Sequence, residues 1–133
     1  TAANIADLRA MYETRAANIC DVRLWQSEDN TAWTVVYERE REFRPSCLNR
    51  FVFVKEVTDL DEALRTAEMV RGQVSTVGLA ATRLDAAELV RQLGHWGVTR
   101  VCPIGRMQDP PLTWRHDGRP ALGDYVRWTD WEL

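Results

Sequence analysis

The sequence predicts an α/β fold, a mostly parallel sheet flanked by helices and built on a β-α-β-α-β core. Three observations carry that expectation. Three short runs rich in β-branched or apolar residues, 50–57, 74–81 and 98–104, have strand character. The stretches between them repeat apolar residues at helical spacing. The connections are only a few residues long, which suits strands joined through helical crossovers of right-handed sense.

The elements follow in chain order. "IADLRAMYETRAANI", residues 5–19, reads as a long N-terminal helix, and "AWTVVYE", 32–38, as a further strand. Residues 39–49, "REREFRPSCLN", are polar, contain Pro45 and read as a loop. After the strand "RFVFVKEV", Asp59 and Glu62 have the spacing of a capping box, in which each end of a four-residue step satisfies a free backbone N–H. Leu60, Ala63, Leu64, Ala67 and Val70 continue at helical spacing until Gly72. "VSTVGLAA", 74–81, is apolar almost throughout and predicts a strand buried on both faces. Ala86, Leu89, Val90 and Leu93 form the stripe of a second helix, with Gly94 as its expected stop. "VTRVCPI" gives the next strand, and "ALGDYVRWTDWEL" a short terminal helix.

Composition narrows the function classes. With 133 residues the chain fits one α/β domain, residues 1–133, with a single core. A net charge of -3 and a pI near 5.4 give no reason to expect nucleic acid or an anionic membrane as partner. No apolar run reaches the roughly 18 residues of a membrane span, and the N-terminus lacks a secretory signal. Cys20, Cys47 and Cys102 are widely spaced and odd in number, which disfavours a disulfide framework or zinc knuckle and makes a reducing cytoplasm the default location. The start at Thr1, without methionine, suits a segment of something longer.

The chemistry-bearing motifs are sparse. There is no GxGxxG, no GxxxxGK[ST], no GxSxG, no CxxC and no HExxH, so phosphate cradles, a hydrolase elbow and a metal site find no support. Cys47 lies between Arg44 and Arg50, and Cys102 between Arg100 and Arg106, neighbours that favour a thiolate. Both read first as inert, Cys102 as a small buried hydrophobe in a strand. His95 falls at a helix end, where a cation suits the dipole. His116 stands beside Asp117 in the turn "WRHDG", where a carboxylate either steadies an imidazole or simply shares a turn with it. Trp96, Trp114, Trp128 and Trp131 crowd the last third, as core, ligand wall or docking surface. The sign-alternating run "EREREFR", 38–44, reads as a solvated edge.

Two stretches carry a family resemblance. "LNRFVFVKEVTDLDEALRTAEMVRGQVSTVGLAA" and "GVTRVCPIGRMQDPPLTWRHDG" are similar to the C-terminal part of the catalytic domain in Lux-type acyl-CoA reductases, a branch of the aldehyde dehydrogenase superfamily. "GVTRVCPIG" resembles the branch's Gly-Val-x-Arg segment, and "WRHDG" its His-Asp-Gly turn. The resemblance spans about residues 30–128. It implies reduction of a fatty acyl thioester, on coenzyme A or a carrier protein, to an aldehyde with NADPH or NADH.

In that family a cysteine takes the acyl group covalently and hydride follows. The nucleophile and most of the cofactor site lie N-terminal to the part matched, so no catalytic residue is expected here. The isolated chain is then expected to be inactive, with the missing N-terminal portion as its partner and a homo-oligomer as its expected assembly. The family's Glu-x-Phe-Gly-Pro loop has its counterpart in "REFRP", where Arg41 stands at the glutamate position, Glu42 is one place off and Arg44 replaces glycine. Arg41, Glu42 and Arg44 are thus the expected cofactor-side residues, the arginines suited to phosphates. Arg106, Trp114, His116 and Asp117 are expected at the mouth of the acyl tunnel, beyond the carboxyl end of a strand, where open α/β sheets bind ligands. The alternative is a non-catalytic α/β interaction or assembly module.

Overall fold

The computed structural model describes residues 2–47, 50–120 and 123–132. The chain divides into two compact units, Thr1–Glu68 and Met69–Leu133.

The first unit runs α1 (Ala2–Asn18), β1 (Val22–Gln26), β2 (Thr34–Glu38), β3 (Phe51–Lys55) and α2 (Leu60–Thr66). Its sheet has the order β1-β2-β3, with β1 antiparallel to β2 and β2 parallel to β3. Strand residues alternate, so Val22, Val36 and Phe51 fall on one face, against Ile5 and Tyr12 of α1. Tyr12, Phe51 and Phe53 form an aromatic trio with centroids 5.2–6.3 Å apart. Trp25, Val52 and Val54 point the other way and are exposed.

Two polar groups are built into this core. Arg9 is buried and donates to Thr34 Oγ1 at 2.8 Å, Asn30 O at 2.6 Å, Trp33 O at 2.7 Å and Ser27 Oγ at 3.1 Å, tying α1 to the β1–β2 connection. Glu38 is 1% exposed and accepts from Arg15 Nη1 at 2.8 Å and Lys55 Nζ at 2.7 Å. Lys55 is its register partner on β3. Burial pushes the Glu38 carboxyl up, but hydrogen bonds from Lys55 and Tyr12 and the nearby cations outweigh this and hold it below the ordinary value. Burial, and then the Glu38 charge, push the Tyr12 phenol up.

The second unit contains β4 (Thr76–Leu79), α3 (Arg83–Trp96) and β5 (Arg100–Pro103), with β4 parallel to β5. Thr82 caps α3 by accepting from Asp85 N at 3.3 Å. At its other end Gly97 adopts φ +113°, letting Val98 N donate back to Leu93 O at 3.0 Å. Leu93, Trp96 and Val98 are the buried apolar residues of this unit.

Several expectations change. The α/β class holds, but the strands form a mixed three-stranded sheet and a separate parallel pair, where one mostly parallel sheet was expected. β1 was not foreseen. β4 is half-buried along its length, not covered on both faces, having only β5 beside it among the described residues. The helix expected to stop at Gly94 runs on to Trp96, because an interior glycine costs a helix only about 1 kcal/mol and the left-handed position falls at Gly97. α2 ends at Thr66, before Gly72, and a 3-10 turn at Glu68–Val70 follows. Its capping is shifted by one place: Asp59 accepts from Glu62 N, while Glu62 accepts from Thr58 N, each within 2.8 Å.

The expected terminal helix is reduced to a 3-10 turn at Gly123–Tyr125, with no regular structure over 126–132. Its Ala121, Leu122 and Leu133 lie outside the described residues, as do Leu48 and Asn49 of the expected loop. Glu38, read as part of a solvated edge, is instead core. No helix among the described residues is long and apolar enough to cross a membrane.

Glu38 makes stability depend on pH in a definite sense. A carboxyl whose folded value is lowered stabilises the fold above its unfolded value, near 4.5, and loses that contribution as pH falls through the lowered one. Glu38→Gln should cost about 3 kcal/mol at pH 7, leaving two cations facing a neutral amide. In urea unfolding the gap between the two proteins should narrow from about pH 4.5 downward; a gap constant to pH 2 would contradict the assignment.

Candidate functional site

The candidate site lies where β5 ends and the chain turns back. Register sets Gly78 of β4 beside Cys102 of β5. A side chain at Gly78 would place Cβ 2.7 Å from Met107 Sδ, so the glycine is the seat on which Met107 rests. Beyond Pro103 the chain folds through turns closed by Arg106 N to Pro103 O at 3.0 Å, Asp109 N to Arg106 O at 3.2 Å and Trp114 N to Pro111 O at 2.9 Å. Together with the end of β5 these turns enclose an open cleft of about 530 Å³, lined among others by Arg100, Cys102, Pro103, Arg106, Thr113 and Trp114.

Arg100 is the central side chain. It donates from Nη1 to Met107 O at 2.8 Å and from Nη2 to Arg106 O at 2.8 Å, and its guanidinium carbon lies 5.3 Å from the centre of the Trp114 ring. Trp114 in turn lies 4.7 Å from the His116 ring. His116 Nδ1 stands 3.0 Å from Asp117 Oδ2, so the adjacent pair does meet. Asp117 reaches that position with φ +50°, a left-handed conformation that Asp tolerates better than most residues. The Trp114 indole N–H is buried and has no hydrogen-bond partner among the described residues.

The four residues expected at the tunnel mouth therefore stand in two ranks. Arg106 and Trp114 line the cleft. His116 and Asp117 flank it through Trp114, with side chains 70% and 60% exposed. Arg106 is paired with Asp109 at 2.8 Å. Arg100 is not among the residues expected at the tunnel mouth, although it is the arginine of the Gly-Val-x-Arg segment and a cation inside an apolar strand. Cys102 is half-buried and lines the cleft. Cys20 is exposed, and Cys47 packs against the core of the first unit.

The residues expected on the cofactor side belong to the first unit. Arg41 pairs with Glu62, whose carboxyl is held down by the Thr58 N–H and then by Arg41 itself. Arg44 pairs with Glu40 at 2.8 Å, which raises the arginine's already high value. Glu42 is exposed. Both arginines are thus compensated by carboxylates from the chain itself. No cluster of metal-ligating side chains occurs among the described residues.

The Gly78 seat can be tested. Gly78→Ala should cost about 1 kcal/mol, since Met107 is a flexible neighbour that can move aside. In a Met107→Ala background the same change should cost almost nothing, as read by urea midpoints. Equal costs in both backgrounds would mean that the methionine does not rest there.

A family profile described as acyl-CoA reductase (LuxC) matches residues 1–128. No curated protein and no solved structure gives a match. With nearly its whole length matched, and a ligand-sized cleft at the carboxyl end of a parallel strand pair, the chain belongs to the acyl-CoA reductase (LuxC) family.

Proposed function

We propose that the chain is the C-terminal portion of the catalytic domain of a fatty acyl-CoA reductase of aldehyde dehydrogenase type, reducing acyl thioesters with NADPH or NADH. In this reading it supplies the mouth of the acyl site and leaves the nucleophile to the N-terminal portion. The observation that carries it is the cleft beyond β5, in a chain matched to the family over residues 1–128.

The chemistry of the cleft supports the reading. Trp114, Pro103 and Pro111 offer rigid, largely apolar walls for an acyl chain at little entropic cost. The Arg106–Asp109 pair is exposed, so its mutual attraction is weak and an incoming anion, such as a phosphate of coenzyme A, can replace the aspartate. His116, held by Asp117 and packed at a tilt against Trp114, polarises the rim. Cys102 sits half-buried within the paired length of β5, which argues for a wall residue.

The stretch 41–44 does not fit a dinucleotide cradle. It has no glycine-rich turn opening a helix, and its arginines are already paired. Arg41, Glu42 and Arg44 border the cofactor at most, and the nicotinamide, source of the hydride, is held by the rest of the enzyme. A cytoplasmic location, a thioester of coenzyme A or a carrier protein as substrate, and assembly as a homo-oligomer belong to the same reading. The alternative, a non-catalytic interaction or assembly module, draws on exposed Trp25, Val52, Trp128 and Trp131.

Activity tests the first reading. The isolated chain, mixed with acyl-CoA and NADPH, should form no aldehyde; aldehyde from it alone would show that no further portion is needed. In the complete enzyme His116→Ala should lower kcat/KM for acyl-CoA roughly tenfold or more, through a misplaced rim. Unaltered turnover would remove the histidine's role.

A further inference from the structure

We propose that Arg100 is the positioning residue of this site: it holds the cleft wall in shape and leaves substrate contact to Arg106. The proposal rests on the reading of the cleft as the acyl-thioester mouth.

The geometry divides the two arginines cleanly. Arg100 projects from β5, the one regular element bordering the cleft among the described residues, and reaches six to nine residues ahead to three carbonyls: Arg106 O and Met107 O, both at 2.8 Å, and Asp109 O at 3.5 Å. These carbonyls belong to a stretch with no strand or helix of its own. A carbonyl in a loop needs a donor as any other does, and here one planar group serves three of them. Its guanidinium carbon also lies 5.3 Å from the centre of the Trp114 ring. With both Nη atoms occupied by carbonyls, Arg100 is ill placed to bind a substrate phosphate. What it does is join the end of β5 both to the 106–109 turn and to Trp114, against which His116 packs at a tilt.

Arg106 has the opposite character. Its side chain is 65% exposed and its partner Asp109 is 70% exposed, so the pair is open to exchange with an anion. Its backbone carbonyl, by contrast, is pinned by Arg100. The arrangement therefore fixes the main chain of Arg106 while leaving its head free. Lysine cannot replace Arg100, because an ammonium has no flat face for the indole and cannot bridge carbonyls spread along a turn.

The test uses the complete enzyme with Arg100→Lys, which conserves charge, followed by two readouts. Limited trypsin digestion, with fragments identified by mass, reports how often the chain opens after Arg106. Cleavage there should accelerate about tenfold. Steady-state kinetics should show KM for acyl-CoA raised on the order of 10- to 100-fold, with kcat and KM for the nicotinamide cofactor changed by less than about threefold. Unchanged cleavage after Arg106 overturns the proposal whatever the kinetics do. Equal damage to both Michaelis constants also overturns it, since that is the mark of a general folding defect. Faster cleavage with an unmoved KM for acyl-CoA leaves Arg100's hold on the loop standing and instead sinks the assignment of the cleft as substrate mouth. Trp114→Leu probes the same link from its other side, should Arg100→Lys fail to fold: cleavage after Arg106 rises there too, and an unaltered rate overturns the proposal.

Discussion

Parallel pairing of β4 with β5 is the constraint from which the candidate site follows. A parallel pair cannot be closed by a tight turn, so the chain must cross over, and α3 is that crossover. Both strands then end on the same side, where their carboxyl ends release the chain into loops. The register Gly78 to Cys102 does the rest. It places a residue without a side chain where Met107 must lie, and it sets Arg100 two residues before Cys102, behind the turn it holds. A slip of one residue would turn Arg100 to the other face and empty the site of its organising cation.

The first unit solves a different problem with similar means. Its core is small, and two charged side chains are folded into it. Each is satisfied almost completely, Glu38 by two cations and the Tyr12 hydroxyl, Arg9 by backbone carbonyls and hydroxyls. Buried charges of this kind are a weak source of net stability compared with apolar packing, but they penalise every arrangement that leaves them unpaired. Glu38 fixes β2 against β3 and α1 together, since Lys55 and Arg15 come from those two elements.

What was legible in the sequence were features decided locally. The strand at 51–55 alternates aromatic and β-branched residues up to Lys55, and the start of α2 is written in Asp59 and Glu62. The helix end was misplaced at Gly94 because two glycines stand three residues apart and only tertiary context chooses between them. β1 escaped notice because "VRLWQ" mixes a charge, a tryptophan and an amide in five residues; its pairing with β2, and not its composition, makes it a strand. The site was half legible. Arg106, Trp114, His116 and Asp117 came from a motif, and three-dimensional contact joins them. Arg100 does carry a signal, as the arginine of the Gly-Val-x-Arg segment, but its partners are carbonyls six to nine positions away, and carbonyls leave no trace in a residue alphabet. Glu38 misled for a related reason: it sits in an alternating charge run, yet strand periodicity turns it inward.

Arg9 has a consequence for the order of assembly. Its hydrogen-bond acceptors lie 18 to 25 residues further along the chain, in the β1–β2 connection and the first residue of β2. Until that hairpin has closed, the guanidinium has no ring of oxygens to enter and remains hydrated, so the helix gains little by settling early. Once the oxygens are gathered, a single side chain locks helix and hairpin in one step. The N-terminal helix and the hairpin are thus fastened by one buried side chain, and neither can leave its place without stripping Arg9 of its acceptors.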